Sequence, residues 1–144
     1  MKLSTKSQYG TRVLIDLAIN AQKGPVQVGE ISKRQNISVK YLEQIINQLK
    51  KADLVTSVRG SKGGHILAKP PDKITLGQLV RLFEVKDDPE IYFCNQEKCI
   101  NLESCLLNAA WKNAVDAFYL RLDSMSIADF EKECSVQKDE LYFL

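Results

Sequence analysis

The segment that most limits what this chain can fold into is Leu54-Val55-Thr56-Ser57-Val58-Arg59-Gly60-Ser61-Lys62-Gly63-Gly64-His65-Ile66-Leu67-Ala68. Its first part is rich in β-branched residues and favours an extended backbone. A basic, glycine-rich turn follows, and a second apolar run can return as the partner strand, so the segment predicts a β-hairpin. Two short helix patterns lie immediately before it. One runs from Val28 to about Gln35; after a turn at Asn36-Ile37, the other runs from a Ser38 N-cap to about Ala52. Two short helices joined by a tight turn make a helix-turn-helix candidate. The hairpin alone could be an ordinary turn. Helix-turn-helix followed by a basic hairpin is much more specific, and predicts a winged helix.

The flanking sequence fits that reading. A first helix is expected from about Ser4 to Gln22, with Val13, Leu14, Leu17, Ala18 and Ala21 on one apolar face and Lys23-Gly24-Pro25 as its stop. Thr75 and Gln78 form a capping box that opens a helix to about Val85. A long helix should run from about Ser104 to Met125. Its apolar residues Leu107, Trp111, Val115, Phe118, Leu122 and Met125 lie close to a heptad seam. Such a stripe either packs on the chain's own core or forms a two-fold interface, and the short remaining chain favours the interface. The expected fold is mainly α with a small β-hairpin: a winged helix-turn-helix with a long C-terminal dimerisation helix. Residues 1–85 form the DNA-binding region, and 86–144 the cysteine loop and dimerisation helix, within one continuous domain.

Charge separates along the chain. Residues 1–72 hold twelve Lys/Arg against five Asp/Glu, whereas residues 73–144 hold eight against thirteen. A basic half suits phosphate contact and an acidic half avoids it. The N-terminal residues lack the apolar core of a secretory signal and no run is long enough to cross a bilayer, so a cytoplasmic protein is expected.

The second short helix divides into faces. Leu42, Ile45, Ile46 and Leu49 form its apolar side; Lys40, Glu43, Gln44, Asn47 and Lys51 form much of the other, with Tyr41 and Gln48 at the boundary. Gln, Asn and Lys can hydrogen-bond base edges or phosphates, although an amphipathic helix with a solvated face has the same pattern. The candidate DNA contacts are Ser38, Lys40, Tyr41, Glu43 and Gln44 on this helix, and Arg59, Gly60, Ser61, Lys62, Gly63 and His65 on the wing. Glu43 repels phosphate, which argues against unselective binding. Arg59 is suited to a narrow minor groove.

Cys94, Cys99 and Cys105 crowd into one mostly polar segment. In a reducing compartment such a cluster points to metal or redox chemistry rather than a disulfide. Cys134 stands apart and reads as a buried or incidental thiol.

Leu3-Ser4-Thr5-Lys6, Ile31-Ser32, Ile37-Ser38, Tyr41-Leu42-Glu43-Gln44, Leu49, and Leu54 through Gly60 with Gly63-Gly64 together resemble the Rrf2 family of bacterial winged-helix regulators. Thr75, Leu76, the three-cysteine segment and Ser126-Ile127-Ala128-Asp129 extend the resemblance over nearly the whole chain. It implies a transcriptional regulator, most simply a repressor, that binds a palindromic double-stranded operator as a homodimer. It also implies that Glu43 discriminates between operator types. In the IscR- and NsrR-like branches three loop cysteines hold an iron–sulfur cluster, which makes Cys94, Cys99 and Cys105 the metal ligands of a 2Fe–2S or 4Fe–4S centre. Zinc is the alternative metal, but a closed zinc site needs four ligands and usually a closer first pair. The fourth iron ligand departs from both patterns: Asn108 and Gln8 stand where histidine and aspartate are expected. Glu103, Asp16 and Cys134 remain as candidates. A cluster-free regulator of the CymR kind, controlled by thiol oxidation or a partner protein, is the main rival. A small electron-transfer protein is the remote one. No nucleophile–base pair appears, so an enzyme is not expected.

Overall fold

The computed structural model describes residues 2–85 and 106–142. Helix α1 spans Thr5–Ile19, α2 Val28–Gln35, α3 Val39–Lys51, α4 Leu76–Glu84, α5 Leu106–Asp123 and α6 Ile127–Tyr142. Strands β1 (Val55–Val58) and β2 (Gly64–Leu67) form an antiparallel hairpin with Val55 opposite Leu67 and Ser57 opposite His65.

Local chemistry explains the boundaries. The Ser4 hydroxyl accepts the Ser7 N–H and starts α1. At the other end Asn20 turns its side-chain amide onto the Asp16 carbonyl at 2.8 Å, and the chain continues as a short 3₁₀ turn, Ala21–Lys23. The helix therefore stops before Gln22. Asn36 takes the left-handed conformation that ends α2, with φ 53°, and Ser32 Oγ donates to the Ile37 carbonyl at 2.6 Å. Ser38 then caps α3. The Thr75–Gln78 capping box is formed in both directions.

One core unites these elements. Val13, Leu14 and Leu17 of α1 meet Ile31 of α2, the Leu42, Ile45, Ile46 and Leu49 face of α3, Leu54 and Val55, and Leu79 and Phe83 of α4. Burying each large aliphatic side chain contributes about 1.5–3 kcal/mol, so this cluster is the main source of stability. A third extended segment joins the hairpin, because Val26 and His65 exchange backbone hydrogen bonds at 3.0 and 2.8 Å.

Helix α6 was not anticipated as a separate element. Ser126 and Asp129 cap its start reciprocally: the Ser126 N–H donates to the Asp129 carboxylate at 2.9 Å, and the Asp129 N–H donates to Ser126 Oγ at 3.2 Å. Leu76 N–H donates to the Met125 carbonyl, and Ile127 N–H to that of Ile74, which ties the α5–α6 turn to the start of α4. Ile127 is thereby buried in the core and α6 returns along α1. Among the described residues no helix is long and apolar enough to cross a membrane.

Candidate nucleic-acid interface

The core face of α3 fixes where its other side points. With Leu42, Ile45, Ile46 and Leu49 buried, Lys40, Glu43, Gln44, Asn47 and Lys51 are all exposed on the outer surface. Ser38 is exposed at the helix start. Tyr41 is different: it is half-buried, and its ring meets Tyr9 of α1 edge-on with centroids 5.8 Å apart. It braces α3 against α1 as well as reaching the rim of the polar face. Arg12 lies over the same Tyr9 ring and donates to the Gln35 backbone and side-chain carbonyls at 2.6 and 3.0 Å. This cation therefore closes the C-terminal end of α2.

The hairpin brings Arg59, Gly60, Ser61 and Lys62 to an exposed tip, with Gly63 partly covered behind it. Gly60 has φ 115°, a region a side chain would strain, and its carbonyl accepts the Gly63 N–H at 3.0 Å. His65 sits deeper. Its Nδ1 lies 3.2 Å from Ser57 Oγ, on the hairpin face it shares with Val55 and Leu67. Partial burial holds this imidazole below its ordinary value, and the Lys50 ammonium on α3 reinforces the effect. His65 thus bears on the root of the wing, whereas Arg59 and Lys62 occupy its tip.

Two carboxylates outside the predicted DNA contacts organise the head. Asp16, only 3 % exposed, accepts both ends of the Arg34 guanidinium at 2.7 and 2.9 Å and the Gln35 amide at 3.0 Å, locking α1 to α2. To reach iron, this carboxylate would have to give up the bonds that join α1 to α2. Glu84, the last residue of α4, accepts the Ser4 N–H at 2.8 Å and the Ser7 hydroxyl. The Ser7 hydroxyl, aided by Ser4, holds its carboxyl below the usual range. A carboxylate at the start of a helix also interacts favourably with the helix dipole. Neither role was legible beforehand, although a lone Asp in an apolar helix face was a usable signal for the first.

Cys94, Cys99 and Cys105 lie outside the described residues, as does Glu103. The described residues run to Val85, the C-cap of α4, and resume at Leu106 of α5. Cys134 is half-buried on α6. Among the described residues no three His, Cys, Asp or Glu side chains gather into a metal-binding group. Cys94, Cys99 and Cys105 are close in sequence, and thiolates are the usual ligands of iron–sulfur clusters.

Helix α5 has no fully buried residue. The predicted stripe splits in two: Val115, Phe118, Leu122 and Met125 are half-buried, while Leu107 is 62 % exposed. Leu106 and Leu120 are 86 % and 74 % exposed, and Trp111 is 40 % exposed.

A profile of the Rrf2 family, described as an iron-dependent transcriptional regulator, matches residues 3–133. The chain is 38 % identical over 138 residues to protein rrf2 of Nitratidesulfovibrio vulgaris, covering 94 % of this chain and 91 % of that one. Among solved structures it is similar to CymR, the global cysteine regulator of B. subtilis, with a TM-score of 0.73 and 34 % identity over 92 % of this chain and 98 % of that one. It is equally similar to IscR of T. potens, with a TM-score of 0.72 and 35 % identity over 93 % and 88 %.

Proposed function

The chain belongs to the Rrf2 family of transcriptional regulators, and on that premise we propose that it reads a palindromic operator as a homodimer whose affinity follows the state of Cys94, Cys99 and Cys105. The observation that carries this reading is the arrangement around Glu84. Glu84, at the end of α4 from which the chain runs on toward Cys94, is bonded to the N-terminus of α1, and α1 packs directly on α3. On this reading Lys40, Glu43 and Gln44 face base edges and phosphates in a major groove, with Ser38 and Tyr41 at the rim. Arg59, Gly60, Ser61, Lys62 and Gly63 approach the flanking backbone or minor groove, and His65 steadies the wing behind them. The exposed apolar side chains of α5 supply the surface for a second copy.

Cys94, Cys99 and Cys105 would hold an iron–sulfur cluster, 2Fe–2S or 4Fe–4S, which supplies a centre sensitive to oxidation and to small reactive gases. Glu103 remains a candidate fourth ligand. A second reading, a cluster-free regulator switched by thiol oxidation or a partner protein, is supported by the likeness to the cysteine regulator CymR.

Anaerobic purification with iron and sulfide counted per monomer separates the two. Stoichiometric iron and sulfide with thiolate-to-iron absorption support the cluster. A colourless protein that resists reconstitution establishes the second reading. Selection of duplexes from a random library tests DNA recognition. Arg59→Ala should weaken binding to all selected duplexes and lower the salt slope by about one; unchanged affinity and slope would remove the wing from the interface.

A further inference from the structure

We propose that Arg81 sets the angle at which α5 leaves the DNA-binding head and so selects operators by the spacing of their half-sites. The inference rests on the homodimer reading above. In a two-fold dimer joined through α5, the separation and rotation of the two α3 helices depend on how each head is mounted on its own α5.

The mounting has two parts. Backbone hydrogen bonds from Leu76 to Met125 and from Ile127 to Ile74 pin the end of the lever, at the α5–α6 turn. They hold a point and leave direction open. Direction needs a second grip further along α5, and Arg81 provides it. Its guanidinium donates to both oxygens of Asp123, Nη1 to Oδ1 at 2.7 Å and Nη2 to Oδ2 at 2.8 Å. The same group lies over the Tyr119 ring, 4.3 Å from its centroid. Asp123 and Tyr119 are one helical turn apart, so a single planar cation fixes a line along α5 rather than a point. Thr75 Oγ1 donates to Asp123 at 3.4 Å from the cap of α4. Gly77 completes the seat, since a Cβ there would overlap the Asp123 carboxylate.

Arg81 and Asp123 are both substantially exposed, so the pair adds little to stability and can be altered with the fold intact. Its positioning effect is larger, because each base pair inserted between half-sites rotates one of them by about a tenth of a turn. A rigidly mounted dimer tolerates one spacing; a loosely mounted one tolerates several.

The test uses the full-length protein and a palindromic duplex selected by the wild type, remade with one base pair added or removed at its centre. Arg81→Lys keeps the charge and loses the planar two-point grip. Gly77→Ala keeps both partners and displaces Asp123. Wild type should prefer its own spacing by about tenfold or more, and both variants should narrow that preference to about threefold or less while dimerising normally. Variants that keep the wild-type spacing profile overturn the proposal alone. If both variants fail to fold, the contact serves the fold and the proposal is overturned. Wild type that selects no duplex, or binds as a monomer, overturns the regulator reading and this inference with it.

Discussion

The head formed by α1 to α4 and the hairpin, and the helix α5 mounted on it, use apolar side chains in opposite ways. In the head the large aliphatic residues of four helices converge on one cluster, and several are completely buried. In α5 no residue is fully buried, while Leu106, Leu107 and Leu120 lie open. The head satisfies its own hydrophobic demand; α5 does so only along the edge that touches α4. A folded chain that leaves such a surface on one helix marks it for contact with something else.

The comparison breaks if truncations in the two regions cost the same. Leu14→Ala should destabilise the protein by about 2–5 kcal/mol, because it opens a cavity in a closed core. Leu107→Ala should cost about 0.5 kcal/mol or less in urea unfolding of dilute protein. Equal losses would mean that α5 belongs to the same cooperative core. Next in size is Arg34→Ala, which leaves the buried Asp16 carboxylate with only amide partners. Loss of one partner from a buried pair costs about 3–5 kcal/mol, and the exposure of Arg34 brings the expected effect to about 2–3 kcal/mol. A loss near zero in chemical denaturation would show that Gln35 and Asn20 suffice.

A charge on α5 sharpens the contrast. Leu120→Asp should leave the stability of the head unchanged and weaken dimerisation about tenfold, by sedimentation at several concentrations. Unaltered association would place the interface elsewhere. The smallest effect concerns Glu84. Its carboxyl sits below the ordinary 4.5 in the folded protein, so its contribution is present above that pH and fades as pH falls through the lower folded value. Glu84→Gln should flatten this acid limb and lower stability at neutral pH by the contribution that the ionised carboxyl draws from Ser7 and Ser4. An unchanged limb would detach the end of α4 from α1.

The parts of this molecule that the sequence discloses are those governed by local rules. Ser38, the Thr75–Gln78 box, the α3 faces and the glycine turn each follow from chemistry within a few residues, and each sits where those rules place it. Asp16 with Arg34, Glu84 with Ser4 and Ser7, and Arg81 with Asp123 join residues far apart in the chain, and no local pattern announces them. Helix α6 falls between. Its Ser126–Asp129 cap was readable, but the polar sequence after it has little amphipathic contrast to mark a helix. Among the candidate contacts, partial burial separates Tyr41, Gly63 and His65 from the rest, and for Tyr41 and His65 it depends on Tyr9 and Val26 arriving from other elements.

Trp111 gives the division between head and α5 a practical meaning. It is the chain's single tryptophan, and it lies on α5 rather than in the core. Indole emission therefore reports on α5, whereas the tyrosines are divided between the head, with Tyr9 and Tyr41, and α5, with Tyr119. Excitation at wavelengths longer than tyrosine absorbs selects this indole without any added label, so an event at the lever can be timed in an unmodified sample.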